Sequence, residues 1–147
     1  MVNLYNQSVF SENIITNIND LNNQGNMTNN SIKDITYLFN QSEFTNNTIS
    51  DIKNLSNQGT LTNNTITYIE NLDNSGTFSE NIIDSIIGYL HNNNNITNNN
   101  INTIDNLSIS ANMSDNTIIK IVNSHINGNF IENIFNIITD STFNSTC

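Results

Sequence analysis

The feature that most constrains this chain is a period. Apolar residues stand at Phe10, Met27, Phe44, Leu61, Phe78, Ile96, Met113 and Phe130, spaced 17, 17, 17, 17, 18, 17 and 17 apart. With each taken as position zero of a unit, plus one is Ser11, Thr28, Thr45, Thr62, Ser79, Thr97 and Ser114, broken by Ile131. Plus three is Asn in every unit: Asn13, Asn30, Asn47, Asn64, Asn81, Asn99, Asn116 and Asn133. Plus five is Ile as far as Ile118 and then Phe135, and plus eight is always Ile, from Ile18 to Ile138. Plus eleven runs Leu21, Leu38, Leu55, Leu72, Tyr89 and Leu107 before decaying to Ser124 and Ser141. A fixed period separates a repeat architecture from a disordered Asn-rich tract. Residues 1–147 therefore read as one repeat domain, with a partial unit 1–9 and full units starting at 10, 27, 44, 61, 78, 96, 113 and 130. Met1 and Leu4 fall at plus eight and plus eleven of an earlier unit and Cys147 at position zero of a ninth, so self-association through incomplete terminal repeats is expected.

The spacing predicts helix. Apolar positions at five, eight and eleven share one face at about 3.6 residues per turn. Ser or Thr at plus one suits an N-cap. Positions zero and plus five then form the pair of a hydrophobic staple. Glu12, Glu80 and Asp115 fall in the first turn, where the helix dipole favours an acid. A weaker period of 34, with Phe and an acid marking alternate units, suggests that two units make one structural turn. The expected fold is all-α: a solenoid of eight 17-residue single-helix repeats pairing into four helical hairpins. The extra residue of the unit starting at Phe78 is expected in the Asn92–Asn95 connection, and Asn57 and Asn94 are expected in loops. The alternative is a β-solenoid, because Asn, Thr and Ile are mediocre helix formers and stacked Asn suits a ladder between coils. The plus-three Asn reads as a structural amide that satisfies backbone groups of the neighbouring unit.

In unit length and helix–turn–helix layout the whole chain resembles the tetratricopeptide-type α-solenoids, although it has no Trp and no Pro. The resemblance implies a stacked helical scaffold. Leu-Thr-x-x-x-Ile-x-x-Ile over Leu61–Ile69 also looks like the opening of TAL-effector-type DNA-binding repeats.

Charge excludes that second function. Thirteen acids face three lysines, Lys33, Lys53 and Lys120, for a formal net charge of −10. Binding to phosphates needs clustered cations, so no nucleic-acid partner is expected. No apolar run approaches the roughly 18 residues of a membrane helix. One cysteine excludes an internal disulfide and a Cys-based zinc site. His91 and His125 are 34 residues apart and read as polar edge residues rather than a metal pair. No catalytic constellation and no cofactor motif is recognisable. The expected function is a non-enzymatic repeat scaffold or protein-protein interaction module. Its partner would be a protein, met at the variable solvent positions Lys33, Tyr37, Lys53, Tyr68, Glu70, Asp84 and Lys120. The alternative is a surface or extracellular β-solenoid, adhesive or ice-binding, with an Asn/Thr-rich face.

Overall fold

The computed structural model describes residues 2–109, 112–126 and 128–143. Every regular element among them is a β-strand, and every pairing is parallel. The long strands Ile14–Asn23, Ser31–Asn40, Thr48–Asn57, Thr65–Asn74, Ile82–Asn92, Asn100–Ile109, Thr117–Val122 and Ile134–Thr139 stack in sequence order, with Asn3–Asn6 at the first edge. The short strands Val9–Ser11, Asn26–Thr28, Glu43–Thr45, Thr60–Thr62, Thr77–Ser79, Ile96–Thr97, Met113–Ser114 and Phe130–Ile131 stack into a second sheet. His125–Ile126 and Thr142–Phe143 stack on the far part of Asn100–Ile109. The molecule is a β-solenoid of about eight turns. Coil 1 starts at Phe10 and coil 8 at Phe130. Strands in adjacent coils lie about 4.8 Å apart.

This overturns the all-α expectation, the hairpins and the likeness to tetratricopeptide-type repeats. The reason lies in the corners. An uninterrupted strand turns alternate residues inward, which the five–eight–eleven spacing violates. Here pairing lapses between plus five and plus eight and again at plus nine, so two successive outward residues separate the inward ones. A third corner, at plus two, holds one residue per coil in the left-handed region: Glu12, Asn29, Asn46, Asn63, Glu80, Asn98, Asp115 and Glu132, with φ of 55 to 58°. Asn and Asp tolerate that region better than most side chains. The acids assigned to a helix first turn are corner residues. The Ser or Thr at plus one is no N-cap; it lies on the short strand with its side chain half-buried or exposed. A three-residue spacing produced by corners mimics the spacing of a helix face.

One unit is one coil, not half of a hairpin, because Ile49 pairs with Ile32 on one side and with Ile66 on the other. The 34-residue alternation reflects packing: Phe44 and Phe78 stack against the smaller Met27, Leu61 and Ile96 in one buried column. The core is the plus-zero, plus-five, plus-eight and plus-eleven columns, where Ile49, Ile52, Leu61, Ile69 and Ile86 are fully buried. Each such side chain contributes about 1.5–3 kcal/mol relative to exposure.

The extra residue of coil 5 is not in the Asn92–Asn95 connection. The register shifts between Ile86 and Tyr89, and Leu90 rather than Tyr89 pairs with Leu72 in the core. Gly88 accommodates the bulge: a Cβ there would lie 2.4 Å from the Glu70 carbonyl oxygen. The connection itself is regular, since Asn92 pairs with Asn74 and Ile96 with Phe78. The units from Ile96 onward keep their phase.

Candidate polar face and its buried ladders

Two columns of buried Asn fix the coil surface. The first is the plus-three column. In the middle of the stack the Asn47 backbone N–H and Nδ2 both donate to Asn64 Oδ1, at 2.9 and 3.2 Å. Asn47 Nδ2 also donates to the carbonyls of Met27 and Thr45, each at 3.0 Å. The same pattern runs from Asn13 to Asn133. The left-handed residue at plus two turns the following N–H away from the backbone ladder, and the side-chain oxygen of the next coil meets it. A buried N–H left unmet would cost about 1–3 kcal/mol, which is why this corner takes an amide.

The second column is plus thirteen, and sequence reasoning missed it by placing Asn57 in a loop. Asn6, Asn23, Asn40, Asn57, Asn74 and Asn92 are buried, each Nδ2 donating to the next Oδ1 at 2.7–2.8 Å. Asn57 Nδ2 additionally reaches the Thr77 carbonyl at 2.9 Å. The signal was available: Asn23, Asn40, Asn57 and Asn74 recur 17 apart, as regularly as any core residue. Outside this column the exposed Gln24 and Gln41 make a further amide contact at 2.8 Å.

These buried amides hold the short strands in register, and the short strands present the polar face. Position zero points inward, so the flanking positions form two outward columns. Plus one gives Thr28, Thr45, Thr62, Ser79, Thr97 and Ser114, half-buried; minus one gives Asn26, Glu43, Thr60, Thr77, Asn95, Asn112 and Asn129. Along the strand the columns stand about 6.7 Å apart, and successive coils repeat every 4.8 Å or so. Over coils 2 to 7 the result is a lattice of hydroxyls and amides in which Glu43 is the one charged group, with the exposed Val9 and Ile131 in the same columns at coils 1 and 8.

The seven residues expected to face a partner lie elsewhere, on the outer side of the long-strand sheet. Lys33, Tyr37, Lys53, Asp84 and Lys120 are exposed, and Tyr68 and Glu70 are half-buried. They are spread over coils 2, 3, 4, 5 and 7; Lys53 and Glu70 share the plus-nine column of adjacent coils, and the seven do not form one cluster. Asp84 alone borders a groove, of about 330 Å³, where Asn102 Nδ2 donates to its carboxylate at 2.8 Å between Ile82 and Ile119. His91 and His125 are exposed and two coils apart, the Ser108 position lying between them; His125 Nδ1 contacts Thr142 Oγ1 at 2.7 Å. Among the described residues no group of three or more His, Cys, Asp or Glu side chains is placed to hold a metal ion. Among the described residues no helix is long and apolar enough to cross a membrane.

No family model, no curated protein and no solved structure matches the chain.

Proposed function

We propose that this chain is an adhesive β-solenoid that acts without catalysis and whose short-strand face binds a neutral, periodic, hydrogen-bonding surface such as a polysaccharide. The observation that carries the reading is the lattice itself. Hydroxyls and amides repeat at fixed spacing on a frame locked by buried ladders. A preorganised face loses little conformational entropy on binding. Its near-neutrality suits an uncharged ligand, and the mixture of Thr, Ser and Asn supplies both donors and acceptors. Ligands with their own short repeat gain from several weak contacts made at once. The scaffold reading loses its basis with the helical hairpins.

The test is sedimentation with insoluble neutral polysaccharides, with inhibition of ice growth measured in parallel. Retention on a polysaccharide, weakened by Thr62→Lys or Thr45→Lys and unaffected by Lys33→Ala or Lys120→Ala, is the expected result. Retention lost through the lysine changes instead would move the binding face to the long-strand sheet. Ice-growth inhibition without polysaccharide retention would replace the ligand with ice.

A further inference from the structure

The groove beside Asp84 is a channel between two outward rows of side chains. Thr65, Ile82, Asn100 and Thr117 form the plus-four row of coils 4 to 7, and Thr67, Asp84, Asn102 and Ile119 form the plus-six row. The rows stand about 6.7 Å apart along the strands, and the three steps from coil 4 to coil 7, each about 4.8 Å, give the channel a length of about 14 Å. Its floor is the backbone of Ile66, Ile83 and Ile101, whose side chains are buried in the core. Ile82, 56% exposed, and Ile119, 44% exposed, stand on opposite walls. A volume of about 330 Å³ is that of a small-molecule site, where apolar walls commonly surround a few polar groups.

Asp84 is the only ionisable residue that lines the groove. Asn102 Nδ2 donates to Asp84 Oδ1 at 2.8 Å, which fixes the carboxylate and leaves Oδ2 without a described partner. Asn102 Oδ1 likewise has no described donor. None of the three lysines is part of the lining: Lys33 and Lys53 belong to coils 2 and 3, and Lys120 follows Ile119 at plus seven. Two open acceptor oxygens therefore stand beside apolar walls. A formal net charge of −10 also raises the concentration of cations at the surface. Charge and shape ask for the same ligand, a cationic head on an apolar body.

We propose that this groove binds a small amphiphilic amine, with its ammonium on Asp84 and its aliphatic chain between Ile82 and Ile119. An ammonium carries three donors. One makes a charge-assisted hydrogen bond to Asp84 Oδ2, and another reaches Asn102 Oδ1. The aliphatic chain leaves water for the isoleucine side chains and the threonine methyls, which is favourable in proportion to the apolar area covered. A carboxylate head on the same chain is repelled by Asp84, and a hydroxyl head gains a hydrogen bond without the charge. Salt screens the attraction at this exposed site, so binding weakens as salt rises. The groove lies on the long-strand sheet, away from the polysaccharide face, and the proposal does not rest on the adhesive reading.

The test is an NMR titration of the 147-residue chain with hexylamine at neutral pH, with hexanol and hexanoate as matched probes. Hexylamine should shift the backbone amides of Ile82, Asp84, Asn102 and Ile119 to saturation. It should bind about tenfold tighter than hexanol, the scale of one hydrogen bond to a charged group, and hexanoate should bind weakest. Asp84→Asn should bring hexylamine down to the affinity of hexanol. Ile82→Ser should weaken hexylamine and hexanol alike, and both variants alter exposed side chains, so their spectra should stay dispersed. Thr45→Lys, on the short strands, should leave hexylamine binding unchanged while it weakens polysaccharide retention, so the two readings fail separately. Equal affinity for the three probes, a preference for the amine that survives Asp84→Asn, or shifts scattered over the thirteen acids rather than gathered at the groove would overturn the proposal. So would the absence of any saturable shift.

Discussion

Coils 1 to 5 and coils 6 to 8 share one backbone path but hold its second turn differently. In the first five, Leu fills plus eleven and Asn fills the second ladder up to Asn92. In the last coils that ladder position is taken by Ile126 and Phe143, and plus eleven becomes Ser124 and Ser141. The serines are not decay. Asn123 and Asp140 adopt φ of 50°, the Asn123 N–H reaches the Thr139 carbonyl at 3.2 Å, and the Ser124 N–H donates to Ser141 Oγ at 3.1 Å. Each serine hydroxyl returns to the carbonyl two residues back. That is the plus-one to plus-three corner rebuilt elsewhere, with Ser in the place of Asn. A left-handed residue followed by a side-chain acceptor makes the corner. What differs is reach: an Asn carboxamide has two hydrogens and an oxygen to span coils on both sides, whereas a hydroxyl has one hydrogen.

This difference predicts unequal sensitivity. Ile69→Ala should cost about 2–5 kcal/mol, as large-to-small core changes do. Ile138→Ala, at a position 44% exposed, should cost under about 1 kcal/mol, as surface changes generally do. Equal losses of denaturation midpoint would erase the distinction between covered and uncovered coils. Next in size, Asn57→Ala leaves the buried Asn74 Oδ1 without its donor, while Asn40 Nδ2 keeps the Ser42 and Thr60 carbonyls, and should cost about 1–3 kcal/mol. Ser124→Ala should cost about 1 kcal/mol. If the serine proved as costly as the asparagine, the reach argument would fail.

The period was legible in the sequence, and with it the inward Ile columns and the structural role of the plus-three Asn. The hand of the local structure was not, because corners and helices both generate a spacing of three. Propensity pointed the right way, with 37 Asn and 25 Ile in a chain almost without Ala and Lys, and was outweighed by cap-like positions that are strand positions flanking a corner. The plus-thirteen ladder was hidden by habit: Asn beside Gln and Gly reads as a turn. In Asn23-Gln24-Gly25 the turn is real, and the Asn that opens it faces inward. Gly88 was the legible clue to the bulge, since an isolated Gly in a strand marks an irregularity or a close backbone approach.

The smallest expected effect sits at that bulge, which lies at the end of the first region. Deleting Gly88 makes Tyr89-Leu90 match Tyr37-Leu38 of coil 2, so thermal stability should change by less than about 1 kcal/mol. Deleting Asn94 shortens a connection of regular length and should destabilise the chain more. A reversal of that order would put the extra residue back in the connection.

The central claim is that buried carboxamide ladders hold the coils, two in the first region and one in the second. Exchange of Asn side-chain amide hydrogens, followed residue by residue by NMR, tests it most directly. The account predicts slow exchange for Asn40, Asn57 and Asn74 and for Asn47, Asn64, Asn81, Asn99 and Asn116, against fast exchange for the exposed corner residues Asn46, Asn63 and Asn98. Uniformly fast exchange across both sets would contradict it.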